Sequence, residues 1–214
     1  YDNVEVVLSH KNLGYGAGNN LGLKKINTRY VLISNPDVVY NNDFFKNLNI
    51  YLETKIDFSM LGASYNDQRH FASAGYFDKK AIKKDFNNEG LKEVDWIMGC
   101  TMVIDKKNIK TNSYFDENFF MFWEEFDLCK RSKSNNGKIF CSSKLLIDHL
   151  GNMGSFAHDP EKFILAEKFR NWHITWSEFY FKKKHYSYFF AITNMSGKFF
   201  RSLFKLVYFT FLNN

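Results

Sequence analysis

Short runs of β-branched and apolar residues punctuate the chain, and they set the expected order of elements. Val4 to Leu8 (VEVVL) reads as a strand. HKNLGYGAGNN follows, a loop rich in Gly and Asn that turns into a helix over Leu21 to Ile26. Tyr30 to Ser34 (YVLIS) is the next strand. Strand, glycine-rich loop, helix, strand is a βαβ unit and predicts a parallel sheet. Asn42 to Glu53 is expected to be helical, with Asn42 or Asp43 as cap and apolar side chains at 44, 45, 48 and 52. Phe58 to Ala63 is a further strand. Residues 64–95 are polar and irregular, consistent with loop and a short hairpin. Trp96 to Asp105 (WIMGCTMVID) reads as one buried strand containing a glycine, and Phe115 to Arg131 as an acidic loop followed by a helix. Lys138 to Cys141 and Lys144 to Ile147 complete the strands.

From Phe163 onward the pattern changes. Fifteen of the last 45 residues are aromatic. Apolar residues at 200, 203, 204, 207, 208 and 211 fall on one helical face, and Lys198, Arg201 and Lys205 on another. Such a helix suits an anionic membrane surface, so residues 196–214 are expected to make peripheral membrane contact. The alternative is a helix packed on the body with its basic face in water. The organisation expected is an α/β body over residues 1–160 and a helical tail over 161–214.

Charge sharpens this division. Residues 1–169 hold 22 Lys+Arg against 22 Asp+Glu, whereas 170–214 hold seven basic residues and one acid, Glu178. A neutral body argues against nucleic acid as partner. The three cysteines, Cys100, Cys129 and Cys141, are odd in number and lack C-x-x-C spacing. Neither a disulfide framework nor a zinc knuckle fits, which points to a reducing, cytoplasmic compartment. No uncharged apolar run has the length of a membrane span. The first residue is Tyr, so the sequence is expected to start inside a longer gene product.

Three constellations carry candidate chemistry. Gly14, Gly16 and Gly18 form a turn whose N–H groups could meet a phosphate at a helix N-terminus. Asp37, about 20 residues beyond, stands near where a dinucleotide-binding fold places its ribose acid. The spacing G-x-G-x-G differs from G-x-G-x-x-G, and a plain strand–helix turn fits equally. Next, Glu124, Glu125 and Asp127 follow the aromatic run Phe119 to Trp123. They are either acids capping a helix or carboxylates raised by apolar surroundings to serve as a general base. Last, Asp148 and His149 follow a strand, with Gly151 and Gly154 beyond, and His149 is a candidate metal ligand.

The order of these motifs resembles the family 2 glycosyltransferases of GT-A fold, the rhamnosyltransferase-like members above all. N-x-G-Y-G-A-G-N-N-x-G comes first, then a strand ending N-P-D, then G-C-x-M-V-I, then F-D-E-x-F-F-M-F-W-E-E-F-D-L-C-x-R, then D-H-L-G-N-x-G-S. The resemblance spans Val4 to Ser155. It implies a Rossmann-like, mostly parallel sheet with flanking helices. Asp37 would take the metal and diphosphate position and His149 would complete the metal site, with Mg²⁺ or Mn²⁺ as cofactor. Glu124 and Glu125 would supply the catalytic base, Glu125 standing where the family usually has Asp. Gly99, Cys100 and Thr101 would line the donor and acceptor pocket. Asn12, Gly14, Gly18, Asn19 and Asn20 would lie beside the nucleotide.

The activity so implied is inverting transfer from a nucleotide-sugar to a hydroxyl of a glycan or lipid-linked acceptor, in bacterial-type surface polysaccharide synthesis. The place implied is the inner face of the cell membrane. By the same resemblance, the family's first strand and helix would be missing from the sequence. Two rivals stay open, an NAD-dependent oxidoreductase built on the glycine loop and a non-catalytic, decayed transferase that binds without turnover.

Overall fold

The structure, a computed structural model, describes residues 2–54, 56–66, 73–78, 80, 85–109, 111, 113–150 and 160–212. Its strands are β1 (Tyr30–Ser34), β2 (Val38–Tyr40), β3 (Met60–Tyr65), β4 (Ala74–Gly75), β5 (Leu91–Glu93), β6 (Trp96–Ile97), β7 (Thr101–Asp105) and β8 (Ile139–His149). The helices are α1 (Tyr15–Lys25), α2 (Phe44–Glu53), α3 (Glu124–Ser134), α4 (Pro160–His185) and α5 (Tyr188–Leu212). The main sheet runs β1-β7-β3-β8-β2, with β5 also on β8, and β4 pairs with β6 separately.

The fold is mixed α/β, but the expected parallel sheet is not found. β3 and β8 pair in parallel, whereas β1–β7, β3–β7, β2–β8 and β5–β8 are antiparallel. The reason lies in β7. It enters from a loop, not from a crossover helix, and inserts head-to-tail between β1 and β3. β1, β3 and β8 still point the same way, so their carboxyl ends share one edge of the sheet.

The expected strand at Val4–Leu8 is also absent. That segment is irregular and exposed, with no ladder partner among the described residues. Its alternation has no sheet edge to satisfy, and Glu5 instead pairs with Lys25 of α1. The single strand read over 96–105 is two, interrupted by a turn at Met98–Cys100. The two short strands at 138–147 are one, β8.

Apolar positions alternate between the sheet's faces. Val31, Ile33, Met102 and Ile104 pack with Leu23 of α1 and Leu128 and Cys129 of α3. Leu61, Val103, Leu145 and Ile147 pack with Phe44, Leu48 and Tyr51 of α2. The result is a sheet with α1 and α3 on one face and α2 on the other. All three cysteines are buried and free.

α4 and α5 form an antiparallel hairpin. Glu178 of α4 pairs with Lys198 of α5, and Lys182 with Asn194. α4 packs on the body through the buried Ser177 and Phe181. Beyond Met195 the hairpin turns its surface to solvent, including Phe199, Phe200, Leu203, Phe204 and Leu206.

Candidate active site

The shared sheet edge gathers residues from across the chain. Asp37 directly precedes β2, and His149 ends β8. Because Val38 pairs with His149, the two side chains meet, Asp37 Oδ1 lying 3.3 Å from His149 Nε2. The backbone closes the same corner, since Leu150 N–H donates to the Asp37 carbonyl at 3.0 Å. Each side chain is 25% exposed, accessible yet oriented. A carboxylate and an imidazole are two donors that could share a divalent cation with ligand oxygens and water, the imidazole suiting Mg²⁺ poorly. Among the described residues no group of three or more His, Cys, Asp and Glu side chains is placed to hold a metal. Two protein donors alone would leave most positions of any cation to other ligands.

Beside it, Tyr65 ends β3. Its ring lies parallel to the His149 imidazole, centroids 6.3 Å apart, and its hydroxyl is 3.4 Å from Cys100 Sγ. Cys100 sits in the turn between β6 and β7, and its carbonyl accepts the N–H of Asn35, in the N-P-D turn, at 2.8 Å. One residue earlier, Gly99 is closely covered. A Cβ there would lie 3.3 Å from the Tyr15 hydroxyl and 3.4 Å from Glu125 Cβ. Burial, with the charges of Glu125 and Asp37 added, pushes the Tyr65 and Cys100 pKa values up. The fields of Asp37 and Glu125 thus reach the same two groups.

Glu124 and Glu125 open α3 and are only 4% and 8% exposed. One oxygen of each, Oε2, is buried without a hydrogen-bond partner. Burial pushes both carboxyls well above the ordinary carboxylate range, and the neighbouring Glu125 charge raises Glu124 further. On Glu125 that burial is opposed by backbone N–H groups of Glu125, Gly99 and Phe126. Glu124 has less of this opposition, its own backbone N–H alone. The three acids of the first turn stand in different surroundings. Glu124 and Glu125 are the desolvated pair. Asp127, fully buried, faces α4, with Lys184 Nζ and His185 Nε2 at 2.7 and 2.8 Å and Arg131 Nε at 2.7 Å. Burial would raise Asp127, but His185, Arg131 and Lys184 outweigh it and hold the carboxyl down to about 2.

The glycine loop makes close internal contacts of its own. Gly14 has φ +82°, and a Cβ there would overlap the Phe120 carbonyl, which accepts the Tyr15 N–H at 2.9 Å. The Gly14 N–H is taken by Asn12 Oδ1 at 3.0 Å. Asn19 Nδ2 donates to the Tyr15 carbonyl of its own helix. Asn20 is buried and exchanges hydrogen bonds with the Phe115 backbone. Gly18 faces open space. The turn therefore holds α1 against residues 115–120, and its first N–H groups are already spent. Gly151 and Gly154 lie outside the described residues.

Sequence reasoning missed Tyr15 and Tyr65. The available signal was position: Tyr65 closes a strand at the same edge as Asp37. Tyr15 lies inside the glycine turn, and its hydroxyl donates to the Gly99 carbonyl at 2.5 Å.

With this geometry, the chain can be set beside known proteins. No family model matches it. Over 153 residues it is 27% identical to the low-salt glycan biosynthesis hexosyltransferase Agl10 of Haloferax volcanii, a match covering 64% of this chain and 48% of that protein. The chain thus spans about half the length of that relative.

Proposed function

We propose that this chain carries the catalytic domain of an inverting, metal-dependent glycosyltransferase of GT-A type, rhamnosyltransferase-like, acting in glycan biosynthesis. The observation that carries the reading is the buried acid pair joined by the Gly99–Cys100 turn and Tyr65 to the Asp37–His149 pair. Similarity to a hexosyltransferase supports the same reaction class.

Transfer to a hydroxyl needs a proton acceptor on one side of the anomeric carbon and charge neutralisation on the other. Glu125 is the acceptor, its carboxylate favoured by the N–H groups of Gly99 and Phe126 and oriented by the start of α3. Glu124 keeps its proton and limits the pair to one negative charge, which spares the site a second desolvated anion. Asp37 and His149 would hold the cation. When bound, a divalent cation supplies charge neutralisation for the departing nucleoside diphosphate. A single in-line displacement inverts the anomeric carbon. The nucleotide-sugar lies against the edge formed by Asp37, Tyr65 and Cys100, and the glycan or lipid-linked hydroxyl approaches Glu125.

The exposed part of α5 is the membrane-facing surface of this reading. Phe199, Phe200, Leu203, Phe204, Leu206, Val207 and Tyr208 are exposed, with Arg201 and Lys205 among them. Lys198 is engaged by Glu178, so the lipid-directed charge rests on Arg201 and Lys205. No helix among the described residues is long and apolar enough to cross a membrane. An acceptor presented at an anionic membrane surface suits this arrangement.

The dinucleotide reading loses support. Its strand before the glycine loop is absent among the described residues, and the Gly14 and Tyr15 N–H groups are occupied. Calorimetry with nucleoside diphosphates and NAD, each with and without Mn²⁺, tests the proposal. Mn²⁺-dependent binding of a nucleoside diphosphate supports it, and metal-independent binding of NAD overturns it.

A further inference from the structure

Phe122 and Trp123 immediately precede the acid pair, and both adopt the left-handed conformation, φ 68° and 70°. Two successive bulky residues there are disfavoured and persist only when the surroundings over-determine them. The surroundings are one face of α4. His173 stacks on Phe120 at 4.7 Å, and Ser177 Oγ donates to the Met121 carbonyl at 2.9 Å. Tyr180 meets Phe119 at 4.8 Å and Phe181 meets Trp123 at 5.0 Å. His185 and Lys184 then hold Asp127, two residues past Glu125. The positions 173, 177, 180, 181, 184 and 185 follow helical spacing, so a single stripe of α4 holds the segment on both sides of the acids.

We propose that α4 is a positioning element for the acid pair, with Ser177 as its central positioning residue. The inference rests on the catalytic role given to Glu125 above. Met121 and Asp127 are the two anchor points, and the strained pair Phe122-Trp123 lies between the first of them and Glu124. Holding both ends fixes where α3 starts and keeps the carboxyls dry. Without the Ser177 hydroxyl the Met121 carbonyl loses its donor from α4. The turn can then relax toward unstrained backbone and admit water to Glu124 and Glu125. The titratable groups around the pair are Tyr15, Tyr65, Cys100 and Cys129, all shifted upward and neutral at working pH, and beyond them the cluster of Asp127 with Arg131, Lys184 and His185, which Ser177→Ala and Phe181→Leu leave in place. Hydration of the turn is therefore what would move its titration.

The test is an infrared titration of the protonated carboxyl band in the full chain, assigned by its loss in Glu125→Gln. Ser177→Ala should move the midpoint about one pH unit toward the ordinary carboxylate range. Phe181→Leu, which loosens the Trp123 contact at similar volume, should move it the same way. Glu178→Gln breaks the bolt to α5 and should lower the melting temperature without moving the midpoint. A midpoint unchanged in both Ser177→Ala and Phe181→Leu, with melting temperatures lowered as in Glu178→Gln, would make α4 a plain structural brace and overturn the proposal. The titration needs no substrate, so it decides the positioning role even if no variant transfers sugar.

Discussion

Asp37 and His149, far apart in sequence, stand 3.3 Å apart because β2 pairs with the last residues of β8. If they share a cation, Asp37→Asn and His149→Ala should each weaken Mn²⁺-dependent nucleoside diphosphate binding by on the order of tenfold or more, since even groups behind the ligands carry that much. Titration calorimetry at fixed Mn²⁺ reads this. Unchanged affinity in both variants would remove the metal from this corner.

The acid pair predicts an unusual stability profile. Burial raises both carboxyls, so between the ordinary carboxylate range and their raised values the folded chain binds more protons than the unfolded one. Stability must then fall as pH rises through that window. Glu124→Gln, which removes the titration and keeps the shape, should raise the melting temperature at pH 8 and lose its advantage below about pH 4, where both states are protonated. Thermal melts of both proteins across this range test the sign.

Asp127 behaves in the opposite way. Its carboxyl is held down to about 2, so its contribution is present above the ordinary carboxylate pKa and is lost as pH falls toward 2. Asp127→Asn should cost ~3 kcal/mol at neutral pH, because Lys184, His185 and Arg131 lose a buried shared partner. Urea unfolding of variant and parent checks this, and a loss under 1 kcal/mol would show the cluster to be solvated.

The α5 surface predicts salt-sensitive binding. Removing residues 199–214 leaves the Glu178–Lys198 bolt in place, so the melting temperature should hold while binding to anionic liposomes is lost. Arg201→Gln and Lys205→Gln should each remove about 1 kcal/mol of that binding at low salt, an effect that shrinks as salt rises. Aggregation of the shortened chain would instead show these residues to be part of the core.

Much of this was legible where one residue type has one physical reason to stand where it does. The β-branched run Tyr30 to Ser34 is β1 at its expected limits, and the acids at 124–127 do open a helix. The sequence misleads where partners decide. Val4 to Leu8 alternates like a strand but finds no edge. Glycine permits close approach without saying to what, and beside Gly14 the close neighbour is the Phe120 carbonyl. Strand direction is a property of connections, so β7's antiparallel insertion left no local mark. The role proposed for α4 was hidden because residues 161–214 read only as a helical tail. Only tertiary contacts show Ser177, Phe181 and His185 turned toward the acids.

The central claim is that Glu125 accepts the acceptor's proton. Glu125→Gln in the full chain, assayed for sugar transfer and for nucleoside diphosphate binding side by side, tests it most directly. The account predicts loss of transfer by roughly a hundredfold or more, with nucleotide affinity within about twofold of the parent, since the swap keeps shape and removes only proton acceptance. Transfer that survives Glu125→Gln but is abolished by Glu124→Gln would contradict the assignment.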